Sequence, residues 1–187
     1  MQIVFFLEER SAKALLDEFL PRILPPHISF RCIPFEGKQD LDRQIEKRLR
    51  GWITPNTAFL ILRDQDSADC LNLKQSLLKK ASNANRPETI VRIACRELES
   101  WYFGDLQAVE SALQLNGLMK FANKSQYRTP DAITNPASEL DKITKGLYQK
   151  TSSSRSIGKI LIPERNTSQS FQVFLAGVKK AIQQLPS

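Results

Sequence analysis

Residues 57–66 read Thr-Ala-Phe-Leu-Ile-Leu-Arg-Asp-Gln-Asp, an almost wholly apolar run that ends in two acids. Such a run is typical of a β-strand whose sheet is covered by helices on both faces, because both sets of alternating side chains are then buried. Residues 57–62 are therefore predicted to form a strand of a parallel sheet. Asp64 and Asp66 follow this strand, at the edge where open α/β sheets bind their ligands.

The flanking segments alternate between short β-rich runs and amphipathic stretches, which is the pattern of βα units that build a parallel sheet. Further strands are predicted at 2–7, 29–34 and 89–95. Helices are predicted at 11–24, 41–50, 69–81 and 97–115, with helical segments at 136–146 and 168–185. The expected fold class is α/β, with a Rossmann-like, mostly parallel sheet flanked by helices in residues 1–115. Residues 116–187 are expected to form an appended, mainly helical region packed on this core.

The net charge of +7 is unevenly distributed along the 187 residues. Residues 1–115 carry 16 Lys and Arg against 16 Asp and Glu, whereas residues 116–187 carry 11 against 4, so the whole excess lies in the C-terminal part. Clustered cations attract polyanions, which makes this part a candidate nucleic-acid surface. A basic surface that only keeps the chain in solution is the alternative.

The composition disfavours several other classes of protein. No apolar run approaches the ~18 residues of a membrane span, and the first residues lack the basic leader and cleavage site of a signal peptide. The three cysteines are odd in number and lack CxxC spacing, which disfavours a disulfide framework or a zinc knuckle. The chain is therefore expected in the cytoplasm, with its cysteines reduced.

Three acids are predicted to lie at the carboxyl edge of the sheet. Glu8 follows the first strand, and Asp64 and Asp66 follow the third. If these two strands are neighbours, the three carboxylates converge, and a group of uncompensated carboxylates either raises its pKa values or binds a cation. Carboxylate oxygens suit Mg²⁺ or Mn²⁺ rather than zinc. The alternative is that acids at strand ends cap the helices that follow, as Asp69 is expected to do.

Longer motifs carry a resemblance to a known family. An apolar strand ending in Glu8, followed about 55 residues later by a strand ending in Asp64-x-Asp66, resembles the Toprim arrangement of topoisomerases, primases and overcoming-lysogenization-defect nucleases. More specifically, the chain resembles the bacterial domain-of-unknown-function family 4276, a Toprim-like group. The strings that carry this resemblance are RDQDSADC at 63–70, RIACRELESWYFGD at 92–105 and PERNTSQSF at 163–171.

The resemblance implies a Toprim-like fold with Glu8, Asp64 and Asp66 as metal ligands and catalytic residues. Family members as a group carry Glu-Gly after the first strand where this chain has Glu8-Glu9, and strand alternation favours Glu8 as the ligand. Glu97 is the further catalytic candidate, preferred over Glu99 because it is closer to the end of the fourth strand. Both acids would also stabilise the start of a helix without any catalytic role.

Four basic residues are candidate contacts for substrate phosphates: Arg63, Arg96, Lys150 and Arg165. Guanidinium groups suit phosphate oxygens because they donate two parallel hydrogen bonds. For Arg165 the alternative is that residues 165–170 form only the start of a helix, and Lys150 is equally expected to be a solvated surface residue.

Three functions are consistent with these features. The first is a Mg²⁺- or Mn²⁺-dependent nuclease of Toprim type that acts on DNA or RNA in bacterial anti-phage defence. The family resemblance also implies a partner ATPase encoded alongside. The second is a non-catalytic Toprim-like subunit that binds the ATPase or a nucleic acid, and the third is a small-molecule phosphohydrolase or nucleotidyl enzyme that uses the same metal. The sequence leaves open DNA against RNA, one metal against two, and whether the chain forms a homodimer.

Overall fold

A computed structural model describes residues 1–186 as an α/β fold built on one parallel sheet. The strands are β1 (Gln2–Leu7), β2 (Ser29–Pro34), β3 (Thr57–Asp64) and β4 (Ile90–Ala94). The α-helices of the described residues are α1 (Arg10–Phe19), α2 (Lys38–Arg50), α3 (Cys70–Asn83), α4 (Glu99–Phe103), α5 (Leu106–Ala112), α6 (Met119–Ala122), α7 (Pro136–Ile143), α8 (Lys150–Gly158) and α9 (Gln169–Gln183). The predicted fold class is confirmed.

The sheet has the strand order β2-β1-β3-β4, and every neighbouring pair is parallel. Residues alternate along each central strand between two hydrophobic clusters. Phe5 and Leu60 belong to the cluster on one face, while Phe6 and Phe59 belong to the cluster on the other. The central strands are apolar throughout because both faces are covered.

Helices α2 and α3 cover one face of the sheet, whereas α1, α4 and α9 cover the other. Trp101 of α4 and Phe174 of α9 are fully buried, and their ring centroids lie 4.9 Å apart. Residues from beyond position 115 thus share a hydrophobic cluster with β1 and β3, while the domain boundary at residue 115 stays a prediction. No helix of residues 1–186 combines the length and the apolar character that crossing a membrane requires.

The single helix predicted at 97–115 is wrong. Helix α4 ends at Phe103. Asp105 caps a second helix, α5, by accepting a hydrogen bond from the Ala108 N–H at 3.2 Å. Gly104 lies between the two helices. It has no room for a side chain, because a Cβ there would lie 2.0 Å from Asn166 Oδ1.

Helix α8 was not predicted, and it packs closely against α1. A Cβ on Gly158 would lie 2.4 Å from the Leu15 carbonyl oxygen, and Arg22 Nη1 donates hydrogen bonds of 2.9 Å to the carbonyls of Gly158 and Leu161. Ser153 and Ser154 of α8 are buried as well, and their small side chains allow the close approach. The contact fixes the position of Lys150, the first residue of α8.

Gly158→Ala is expected to destabilise the fold by about 1–3 kcal/mol, because its methyl group has no room against the main chain of α1. Thermal unfolding of the variant measures this effect. Ser152→Ala, at an exposed position of the same helix, is the matched control and is expected to unfold like the wild type. Equal melting temperatures for the two variants would contradict the tight α1–α8 contact.

Candidate functional site

The candidate site lies at the carboxyl ends of β1, β3 and β4. Strands β1 and β3 are neighbours, with Leu7 in register with Leu62. The ladder continues one residue further, as the Glu8 N–H donates to the Leu62 carbonyl at 3.3 Å. Glu8 and Asp64 are thereby brought side by side, as expected from the sequence.

Glu8 is largely buried and is held by groups of β3. Its Oε2 accepts a hydrogen bond from the Asp64 N–H at 3.1 Å and lies 3.7 Å from Arg63 Nε. Burial raises the pKa of Glu8, and the charge of Asp66 raises it further, although the Asp64 N–H and Arg63 act in the opposite direction. The Asp64 N–H and Arg63 therefore offset only part of the cost of burying the charge of Glu8.

Asp64 is the centre of the acidic group. Its exposed fraction is 9%. Burial holds its pKa well above the usual range, and the charges of Glu8, Glu99 and Glu9 raise it further, whereas Lys150 lowers it. Three carboxylates act on this one buried acid, and such an acid either keeps its proton or is stabilised in its charged form by a cation.

Asp66 lies on the open side of the group, in the loop after β3. Its backbone is in the left-handed region with φ of 52°, and its N–H donates to the Arg96 carbonyl at 2.7 Å. This bond ties the β3 loop to the β4 loop. Lys38, the first residue of α2, donates to Asp66 Oδ2 at 2.8 Å.

Glu97 and Glu99 are placed differently from each other. Glu97 Oε2 accepts a hydrogen bond from the Ala137 N–H at 2.9 Å, so its carboxylate serves the first turn of α7. Glu99 is fully buried, its Oε1 accepts from the Tyr148 hydroxyl at 2.8 Å, and its Oε2 has no hydrogen-bond partner within the described chain. Burial raises the pKa of Glu99. Glu99, not the preferred Glu97, is the acid whose charge acts on Asp64.

Lys150 reaches the acidic group from α8. Its Nζ lies 2.8 Å from Glu9 Oε1. Burial lowers the pKa of Lys150, but the bond to Glu9 and the charges of Glu99 and Asp64 outweigh it, so the pKa is raised overall. Lys150 thus belongs to the group and is not a fully solvated residue.

The arginines of the sequence prediction bind within the chain. Arg63 Nη1 donates to both oxygens of Asp42 at 2.9 Å. Arg96 Nη1 donates to the Asp66 carbonyl at 3.3 Å, which places it at the edge of the acidic group. Arg165 forms a bidentate pair with buried Asp105, at 2.6 and 2.9 Å, and is not brought to the group.

Comparison with known proteins identifies the family. The family model described as Domain of unknown function (DUF4276) matches residues 7–179. The chain belongs to this family.

The fold of this DUF4276 member also resembles a solved structure, the C-terminal region of the Xanthomonas campestris pv. campestris OLD protein. The TM-score is 0.50 at 13% sequence identity, and the match covers 97% of this chain and 95% of the other. At this identity the likeness concerns the fold alone. No curated protein matches the sequence.

A divalent cation fits the acidic group of this DUF4276 chain in charge and in donor type, but not in the side-chain orientations. The group contains five carboxylates, whose oxygens are the donors that Mg²⁺ prefers, and three cations face them. The acids are Glu8, Glu9, Asp64, Asp66 and Glu99, and the cations are Lys38, Arg63 and Lys150. Within residues 1–186 no three His, Cys, Asp or Glu side chains are arranged to hold a metal. Glu8 accepts a hydrogen bond from the Asp64 N–H, and Asp66 accepts one from Lys38.

Proposed function

We propose that this chain is a Mg²⁺- or Mn²⁺-dependent phosphoesterase of Toprim type, and specifically a nuclease that acts on DNA or RNA. Glu8, Asp64 and Asp66 hold the metal, and Glu99 takes the supporting role that the sequence suggested for Glu97. The observation that carries this proposal is the placement of Asp64, a buried acid on which three other carboxylates act.

The side chains have distinct tasks in this proposal. A bound divalent cation would polarise the phosphodiester and lower the pKa of a bound water. Asp64 is fixed by its strand and would offer a buried carboxylate, and Glu8 and Asp66 would supply further oxygen ligands in place of their contacts with the Asp64 N–H and Lys38. Lys150 and Arg96, at the edge of the group, are placed to contact phosphate oxygens. Arg63 and Arg165 hold neighbouring parts of the fold.

An open cleft lies beside Glu9 and Lys150, at the edge of the acidic group. It has a volume of about 350 Å³ and includes Glu9, Lys150 and Gly37 in its lining. Lys150 therefore borders both the cleft and Asp64.

The biological setting is proposed from family resemblance. The sequence resembles overcoming-lysogenization-defect nucleases, and the fold is similar to the C-terminal region of an OLD protein. The resemblance of the sequence supports a role in anti-phage defence together with a partner ATPase, while the fold match is consistent with a Toprim-type fold. The acidic site would then be under the control of that partner.

The experiment is a Mn²⁺ titration followed by thermal melting and by cleavage of labelled DNA and RNA. A ligand at 100 times its Kd stabilises by about 2.7 kcal/mol, so the wild type is expected to melt roughly 5–10 °C higher with Mn²⁺. Glu8→Gln should lose most of this shift together with cleavage. The matched control is Glu88→Gln. Glu88 is an exposed acid just before β4, at the opposite end of that strand from the acidic group. Absence of both a shift and cleavage in the wild type would refute the proposal.

The second candidate function is a non-catalytic subunit, and the ion pairs of the site favour it. Glu8 lies near Arg63, and Asp66 is bound by Lys38, so two of the three proposed ligands already have cationic neighbours. In this case the acids stabilise the loops at the sheet edge. Glu8→Gln would then lower stability without changing any response to Mn²⁺.

A further inference from the structure

We propose that a lysine-lined trough beside α7 binds single-stranded polynucleotide and guides it toward the acidic group. This inference rests on the proposed nuclease function, and it assigns the strand-binding surface to residues that the sequence prediction did not single out. The trough consists of a larger cleft of about 470 Å³ and a smaller one of about 320 Å³.

The larger cleft is strongly basic. Lys120, Lys124, Lys142 and Lys145 line it, all four are exposed, and no Asp or Glu is part of its lining. Among residues 1–186 only Lys142 of these four lies within 4 Å of a carboxylate, with Glu139 at 3.7 Å. By contrast, Arg63, Lys150 and Arg165 are in ion pairs. Part of the positive excess of residues 116–187 is therefore concentrated here and available to an anion.

Glu139 lines the smaller cleft, and both it and Glu110 are bonded to other groups of the chain. Glu110 accepts hydrogen bonds from the N–H groups of Leu118 and Met119, and Glu139 accepts from the Tyr127 hydroxyl at 2.5 Å. These bonds shape the wall of the cleft and turn the carboxylates toward protein donors. An approaching phosphate thus meets lysines first.

The lining also offers aromatic surface. Phe121 is partly exposed, and the Nζ atoms of Lys120 and Lys124 lie 5.3 and 4.6 Å from its ring centroid. The Tyr127 ring is stacked on Phe103 at 4.9 Å, which anchors this wall to α4. Lysines beside an aromatic ring suit a chain that alternates phosphates with bases, because the ammonium groups contact phosphate and the ring stacks on a base.

The smaller cleft extends the trough from the lysines to the start of α7. The smaller cleft shares Gln126, Tyr127 and Lys142 with the larger one and reaches Asn135 at the start of α7. Glu97 bonds to Ala137 in that first turn, and its charge acts in turn on Glu99. Helix α7 therefore connects the lysine-lined cleft with the carboxyl end of β4.

A single strand fits these features better than a small anion does. The larger cleft has the size of a site for one small ligand, but it opens into a second cleft and so forms a path. Lysine ammonium groups contact phosphates without strict geometry, which suits binding that is independent of sequence.

The test is binding of a fluorescent 20-nucleotide oligothymidine in EDTA, measured by anisotropy at several salt concentrations. The variant is Lys120→Gln, Lys124→Gln and Lys145→Gln combined. The control is Lys79→Gln, Lys159→Gln and Lys180→Gln, three exposed lysines outside the trough with the same change in charge. With a salt slope of about 0.7 per phosphate contact on single strands, the trough variant should lower the slope by about 2 and affinity about 100-fold at 50 mM salt. The control is expected to bind nearly like the wild type.

Each other outcome counts against the trough. Equal losses in the two variants would mean a general charge effect, and absence of wild-type binding at low salt would exclude a strand-binding surface. Competition by thymidine monophosphate at the concentration of oligonucleotide phosphate would show a small-anion site. Because EDTA removes divalent metal, Glu8→Gln should bind the strand normally, so a failure of the nuclease proposal is distinguishable from a failure of the trough.

Discussion

Asp64→Asn is expected to abolish the Mn²⁺-dependent rise in melting temperature and to lower nuclease activity by at least about 100-fold, since loss of even an indirect metal partner costs 10–100-fold. In metal-free buffer the same variant should be more stable than the wild type. Asn has nearly the same shape but no charge, so the repulsion among the carboxylates is reduced. A gain of about 1–2 kcal/mol is typical when a strained functional group is removed.

Melting with and without Mn²⁺ measures both effects. In a chain of this size the gain corresponds to roughly 2–8 °C. Asp141→Asn, an exposed acid of α7, is the control and is expected to change neither quantity. Lower stability of metal-free Asp64→Asn would show that the charge of Asp64 is a structural partner, and the metal site would lose its main support.

The dependence of stability on pH follows from the same residue. Because burial and nearby carboxylates raise the pKa of Asp64 in the folded state, the folded chain binds this proton more tightly than the unfolded chain. Its contribution to stability is complete below the unfolded pKa of about 3.9 and is lost as the pH rises through the raised folded value. Denaturant unfolding at several pH values should show this loss in metal-free wild type and a smaller loss in Asp64→Asn. Glu8 and Glu99 also have raised pKa values, so the variant keeps part of the dependence.

The sheet could be predicted because its strands are buried on both faces. Residues 2–7 and 57–62 are nearly all apolar, and parallel βα topology then places their ends at one edge. The register of Leu7 with Leu62 confirms that β1 and β3 are neighbours, which was the condition for bringing Glu8 and Asp64 together.

The rest of the site could not be predicted, because it depends on contacts between distant parts of the chain. Glu99 was given second place to Glu97 because distance along the chain was taken as distance in space. Lys150 reaches the group from the start of α8 and Tyr148 from just before it, and the sequence of α8 lacks an apolar stripe. Its buried residues include Ser153, Ser154 and Gly158, and that spacing of small residues was the available signal of close helix packing.

The partners of Arg63 and Arg165 within the chain could not be predicted for a related reason. A guanidinium suits a substrate phosphate and a carboxylate of the same chain equally well. Asp105 lies in the motif at 92–105 and Arg165 in the motif at 163–171, so the two strings that marked the family are joined by an ion pair. Their distinctive sequences reflect at least in part a structural contact.

Arg165→Ala is expected to destabilise the fold by about 3 kcal/mol, since removing one partner of a buried pair leaves a charge without compensation. The Asp105 side chain is fully buried, whereas that of Arg165 is 32% exposed, which keeps the expected cost at the lower end of the range. Asp105 also accepts hydrogen bonds from the N–H groups of Ala108 and Ile162, so its carboxylate holds α5 and the segment after α8 together. The melting temperature should fall by roughly 6–12 °C.

Arg155→Ala, at an exposed position of α8, is the matched control and should melt like the wild type. Arg165→Lys keeps the charge but loses the bidentate geometry, so it should recover only part of the stability. The oligothymidine assay then separates the two roles of Arg165. If Arg165 serves only as the partner of Asp105, the Arg165→Lys variant should bind the strand with wild-type affinity and an unchanged salt slope. If Arg165→Ala instead melts like the wild type and shows a lower salt slope, Arg165 is a phosphate contact and not a structural partner of Asp105.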